Sequence, residues 1–181
     1  MSQDTMSDDV FWDVIAKTTP FEADTERQSK ALHDALEALT PNEIAGFEVA
    51  FQRQQRRSYT WDLWGAAYII NGGASDDGFE YFQRWLISKG RKVFETAVAN
   101  PDALGDVLAP DAGGNCEYEE FAYIASEVWQ EKTGIDPWKS EAPVFPYTGA
   151  PPAAQPSGAP FEEGEAYLAK RYPKLWASFG H

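Results

Sequence analysis

Apolar residues recur along this chain at spacings of three and four, the pattern of helices that bury one face. Val10, Phe11, Val14 and Ile15 form the first group, with Ser7 or Asp8 as cap and Thr18, Thr19 and Pro20 as the stop. Asp24 opens a second helix through Leu39, whose apolar face is Leu32, Ala35, Leu36 and Leu39. The clearest start lies at Thr40, with Pro41 at the first helical position and Glu43 three residues after the cap. Threonine and glutamate there satisfy each other's backbone donors, and proline's missing N–H costs nothing. Ile44, Phe47 and Phe51 then line one face.

The stretch YTWDLWGAAYII, residues 59–70, suits helix or strand by propensity. The helical spacing of Leu63, Ala66, Ala67 and Ile70 behind Thr60 favours helix. Asn71, Gly72 and Gly73 stop it, and Ser75 caps the next helix, which runs to Gly90. Arg91–Ala99 is a further helix, ended by Asn100-Pro101, and residues 100–114 read as a loop. Tyr118, Phe121, Ala122, Ala125, Val128 and Trp129 then predict one strongly amphipathic helix closed by Gly134. Seven prolines between residues 136 and 160 exclude a packed element. Phe145 and Tyr147 are positioned to pin the first half of that stretch, and the composition of 149–158 favours disorder. Leu168, Tyr172, Leu175, Trp176 and Phe179 restore helical spacing, with a break expected at Tyr172-Pro173.

The expected architecture is all-α: a single compact domain of about six or seven helices with a proline-rich C-terminal arm. Residues 1–135 make the helical core, 136–160 an extended connector, and 161–181 a C-terminal helix packing back on the core.

Charge changes this picture in one respect. The net charge is −14, and both ends of the chain carry the excess, whereas residues 51–100 are slightly basic. Such a field repels nucleic acid and anionic membranes, so neither is expected as a partner. Arg53, Arg56 and Arg57 read as a solvated helix end. No apolar run is long enough for a membrane span, and the N-terminus lacks the order of a secretion signal, so a cytoplasmic location is expected.

Candidate chemistry concentrates between Tyr59 and Trp85, which hold eight aromatic residues. Two helices cannot bury all eight rings on narrow faces, so some are expected to line a cleft. The same segment carries Asp62, Asn71, Asp76, Asp77, Glu80 and Arg84. With Trp61 and Trp64 these are the ligand-binding candidates. A structural account also covers them. Asp76 and Asp77 suit a helix N-terminus, and Glu80 with Arg84 makes an ordinary i,i+4 pair. In a partly dry cleft the carboxylates suit acid–base work, or a cationic ligand held also by tryptophan faces. The enzyme reading further requires Asp62 and Asp77 to approach each other.

Other chemistry is sparse. NGGASDDG is neither a phosphate loop nor a calcium loop. The histidines are His33, beside an apolar stripe, and the terminal His181. The lone Cys116 reads as a small buried residue. Neither a metal nor a cofactor is expected.

The stretch WDLWGAAYIINGGASDDGFEYFQRWLISKGRKVFETAVANPDAL resembles the core signature of the bacterial domain-of-unknown-function family numbered 4240. VFWDVI and EYEEFAYIASEVWQEKTG are similar to its flanking segments, so the likeness spans roughly residues 9–135. It implies a small, mostly helical, bacterial cytoplasmic protein, and it implies no activity and no catalytic residue. Three classes therefore stay open. The first is a binding or interaction module with an aromatic, acid-rimmed cleft for an unknown protein or small molecule of cationic character. The second is a small-molecule enzyme using the carboxylates and arginine of segment 62–84. The third is a scaffolding protein using the proline-rich arm.

Overall fold

Helix starts written in the sequence recur in the computed structural model, which describes residues 6–139, 145–146 and 154–180. Ser7 caps α1 (Asp8–Ala16), and Asp24 caps α2 (Thr25–Glu37). Thr40 and Glu43 close a full capping box on α3 (Pro41–Ser58). Thr60 caps α4 (Trp61–Asn71), with its hydroxyl accepting from the Leu63 amide at 3.0 Å. Gly72 stops that helix at φ 68°, a left-handed conformation that glycine adopts without a Cβ clash. Ser75 caps α5 (Asp76–Ser88), and α6 (Arg91–Ala99) follows.

The remaining helices are α7 (Leu104–Val107), α8 (Ile124–Thr133), α9 (Glu165–Arg171) and α10 (Pro173–Phe179). The all-α reading holds, with ten helices and no strand among the described residues. Two features explain much of the larger number, the first unexpected and the second the break expected at Tyr172-Pro173. Residues 101–107, expected as loop, form a 3-10 turn and the short α7. The last helix breaks at Tyr172 into two, as proline demands.

A second difference from the sequence reading concerns α8, which begins at Ile124 rather than near Tyr118. The backbone ahead of it is claimed from elsewhere. The Tyr118 amide donates to the Tyr81 carbonyl at 3.0 Å, and the Glu119 carbonyl accepts from the Arg84 guanidinium at 2.9 Å. Tyr118 and Phe121 are buried all the same.

One apolar core joins all these elements. The helix α3 packs on α8, α1 and α5, while α10 packs on α4, α7 and α9. Buried glutamines tie helix ends together: Gln28 Nε2 donates to the Ser88 carbonyl, and Gln83 Nε2 to the Gln55 carbonyl, each at 2.8 Å. Asp102 Oδ1 accepts the amides of Lys174 and Leu175 at 3.0 Å and so caps α10 across the fold. Among the described residues no helix is long and apolar enough to cross a membrane.

The arm behaves differently along its length. Phe145 is buried against Trp129 at 5.4 Å between ring centroids, as expected, whereas Tyr147 lies outside the described residues. Residues 149–153 also lie outside them. Ser157, in the stretch read as disorder-prone, makes a parallel backbone bridge to Thr60. The structure thus corrects that reading for this residue.

Thr40→Ala removes the hydroxyl that accepts the Glu43 amide, leaving the backbone half of the capping box, and is expected to cost about 1 kcal/mol in denaturant unfolding. Gly65→Ala is expected to cost about 1–3 kcal/mol. A Cβ there would run into the Tyr172 hydroxyl and lie 3.1 Å from Phe161 Cγ.

Candidate functional site

Of the eight rings in the crowded segment, Phe79, Phe82 and Trp85 are buried. Tyr59, Trp61, Trp64, Tyr68 and Tyr81 remain partly exposed. The interior has no room for all of them because α4 and α5 offer it different faces.

Four of these residues form a ladder. Tyr59 stacks on Phe79 at 6.1 Å, Phe79 on Trp64 at 4.9 Å, and Trp64 on Trp61 at 5.2 Å. Phe161 from the C-terminal segment then meets Trp61 edge-on at 6.5 Å and Tyr68 at 5.6 Å. The Trp64 indole N–H donates to the Ala74 carbonyl at 2.9 Å, which locks the ring. Trp61 and Phe79 both lie nearly parallel to Trp64, at 13° and 14°. The expectation of tryptophan faces open to a cation therefore fails for Trp64: stacking occupies its face and leaves mainly edges to a ligand.

The acids divide into two groups. Asp62 is held by the C-terminal segment: Arg171 pairs with it at 2.6 Å, and the Tyr172 hydroxyl donates to its carboxylate at 3.0 Å. Burial, then the Asp62 charge, pushes the Tyr172 phenol up, so it stays a donor. Asp76, Asp77 and Glu80 are exposed. Asp76 reaches Tyr59 electrostatically, and with burial as the larger cause it raises that phenol's pKa. Asn71 ties α4 to the segment before α8: its side chain accepts the Cys116 amide at 3.0 Å and donates to the Cys116 carbonyl at 3.3 Å. Cys116 itself is buried, and desolvation pushes its thiol up to about 11.

Arg84 belongs to a second cluster, which the helical spacing only half reveals. It pairs with Glu80 as expected, but it is buried, with Tyr81 and Tyr123 rings at 5.5 and 5.3 Å. Opposite, on α3, sits Glu48, 2% exposed. One carboxylate oxygen of Glu48 accepts from Gln52 at 2.8 Å; the other, like Arg84 Nε, is buried with no partner among the described residues. Burial pushes the Glu48 carboxyl up to about 7, while the Gln52 amide and the Arg84 charge act the other way.

Sequence reasoning missed Glu48, Phe161, Arg171 and Tyr172. An acid next to the Phe47 and Phe51 stripe was the available sign of the first. Nothing local pointed to the other three, which reach the site from the far end of the chain.

His33, Asp34 and Glu37 bring one potential ligand atom each within 4.8 Å of one another. Asp34 pairs with Lys30 at 2.7 Å, and His33 Nε2 lies within hydrogen-bond distance of a Glu131 carboxylate oxygen at 2.9 Å. His181 lies outside the described residues.

The fold and its site define an all-helical domain with an aromatic face and an internal carboxyl–guanidinium cluster. The profile of the family described as protein of unknown function (DUF4240) matches residues 6–131, and the chain belongs to that family. No curated protein and no solved structure matches the chain.

The raised Glu48 carboxyl gives a signed pH dependence. The folded state holds this proton more tightly than the unfolded chain. Its contribution is therefore fully present below about pH 4.5 and lost as pH rises towards and through about 7. Glu48→Gln is expected to match the wild type near pH 5. Near pH 8 it should be the more stable by on the order of 2–3 kcal/mol in denaturant titrations.

Proposed function

We propose that the protein is an interaction module that takes a basic, amphipathic protein segment along its aromatic face. The observation carrying this reading is the ladder Tyr59–Phe79–Trp64–Trp61, partly open to solvent and flanked by the exposed acids Asp76, Asp77 and Glu80. Exposed rings beside like-signed acids fit lysine or arginine side chains, whose stems lie along ring edges while their heads reach carboxylates.

The chain's own tail supports the choice of occupant. It satisfies the other end of the same face with a backbone bridge at Thr60, the Phe161 ring and the Arg171–Asp62 pair. A partner with an aromatic or aliphatic group and a cation repeats that chemistry. The net charge of −14 assists its approach. Two groups of the enzyme reading, Asp62 and Arg84, are already engaged by internal partners.

The probe is a labelled peptide alternating leucine and arginine, set against one with glutamate for arginine. The arginine peptide should bind and shift the amide resonances of residues 59–80. Asp76→Asn with Asp77→Asn is expected to weaken it about tenfold, and added salt to weaken it further. Trp61→Ala is expected to weaken it with helicity unchanged. Equal binding of both peptides, or shifts confined to other surfaces, would sink the proposal.

A further inference from the structure

A polar thread runs from the buried cluster to the proline-rich arm. Gln52 Nε2 donates both to the Glu48 carboxylate at 2.8 Å and to the Pro146 carbonyl at 2.9 Å. Beside it Phe145 of the arm is 3% exposed and packs on Trp129 of α8. The arm at Phe145–Pro146 therefore helps to keep water from a carboxyl group whose second oxygen has no partner. We propose that Glu48 is a proton-operated latch: its neutral form holds the Phe145–Pro146 segment on α3 and α8, and its ionisation releases it.

The direction follows from which state solvates the charge. With the arm docked, an ionised Glu48 leaves one oxygen bare of hydrogen bonds in an apolar interior, which is costly. With the arm lifted, water reaches the carboxylate. Of the charged groups around it, Arg84 on α5 favours ionisation, and burial outweighs it. On α8 the charged side chains, Glu127, Glu131 and Lys132, are exposed to solvent. On α1 Asp8 is paired with Arg53 at 2.9 Å. Release thus follows a rise in pH through the neutral range, where histidine is the usual sensor and this chain uses a carboxyl instead.

Thiol labelling of the full chain carrying Phe145→Cys reads the opening even when it is rare. A dipyridyl disulfide is the probe, modification is assigned to residue 145 by peptide mapping, and rates are normalised to a free peptide thiol at each pH. Between pH 5.5 and 8.5 the normalised rate should rise about thirtyfold. In the Glu48→Gln background it should be flat. A flat profile with Glu48 present, or the same rise without it, overturns the latch. If Glu48→Gln does not fold, the carboxyl resonance of Glu48 in the wild type decides. A midpoint near neutrality supports the latch, and one in the ordinary carboxylate range overturns it.

Discussion

The hydroxyl of Tyr172 lying against Gly65 is the contact on which the arrangement of this surface depends. Glycine there lets the C-terminal segment come down onto α4 with no side chain between them. Once seated, Tyr172 donates to Asp62 and Arg171 pairs with the same carboxylate. Phe161 is then set beside Trp61 and Tyr68. Three interactions of different kinds thus converge on the first two turns of α4. Each is modest alone, an exposed ion pair especially so, but together they fix where the tail lies.

That seating divides the aromatic face. One end is covered by the protein's own phenylalanine and arginine, and the other lies partly open near the exposed acids Asp76 and Asp77. The family profile covers residues 6–131, which include α4 and α5 but not the tail. The covering segment thus lies beyond the part of the chain that the profile matches. The buried Glu48–Arg84 cluster stands apart from this face, connecting α3, α5 and the residues before α8. Buried charge of this kind contributes little net stability and makes the interior responsive to protons.

Local signals carried much of the fold. Ser7, Asp24, Thr40, Thr60 and Ser75 each accept the backbone donor that their sequence context predicts. Capping needs only three or four consecutive residues, so nothing distant can hide it. The failures came where distant groups claimed the backbone. Tyr118 and Glu119 fit helical spacing, yet Tyr81 and Arg84 take their amide and carbonyl, and the helix starts later.

The candidate site was legible only as a crowd. The sequence by itself determined that α4 and α5 carry more rings than two helix faces can bury, and it determined the helices that hold them. Tertiary structure alone decided which rings stack, which partners Asp62 and Asn71 have, and that Glu48 is sealed inside. The reason is range. Periodicity and capping act within one or two turns, whereas the partners of Asp62 lie more than a hundred positions away and no local pattern encodes them.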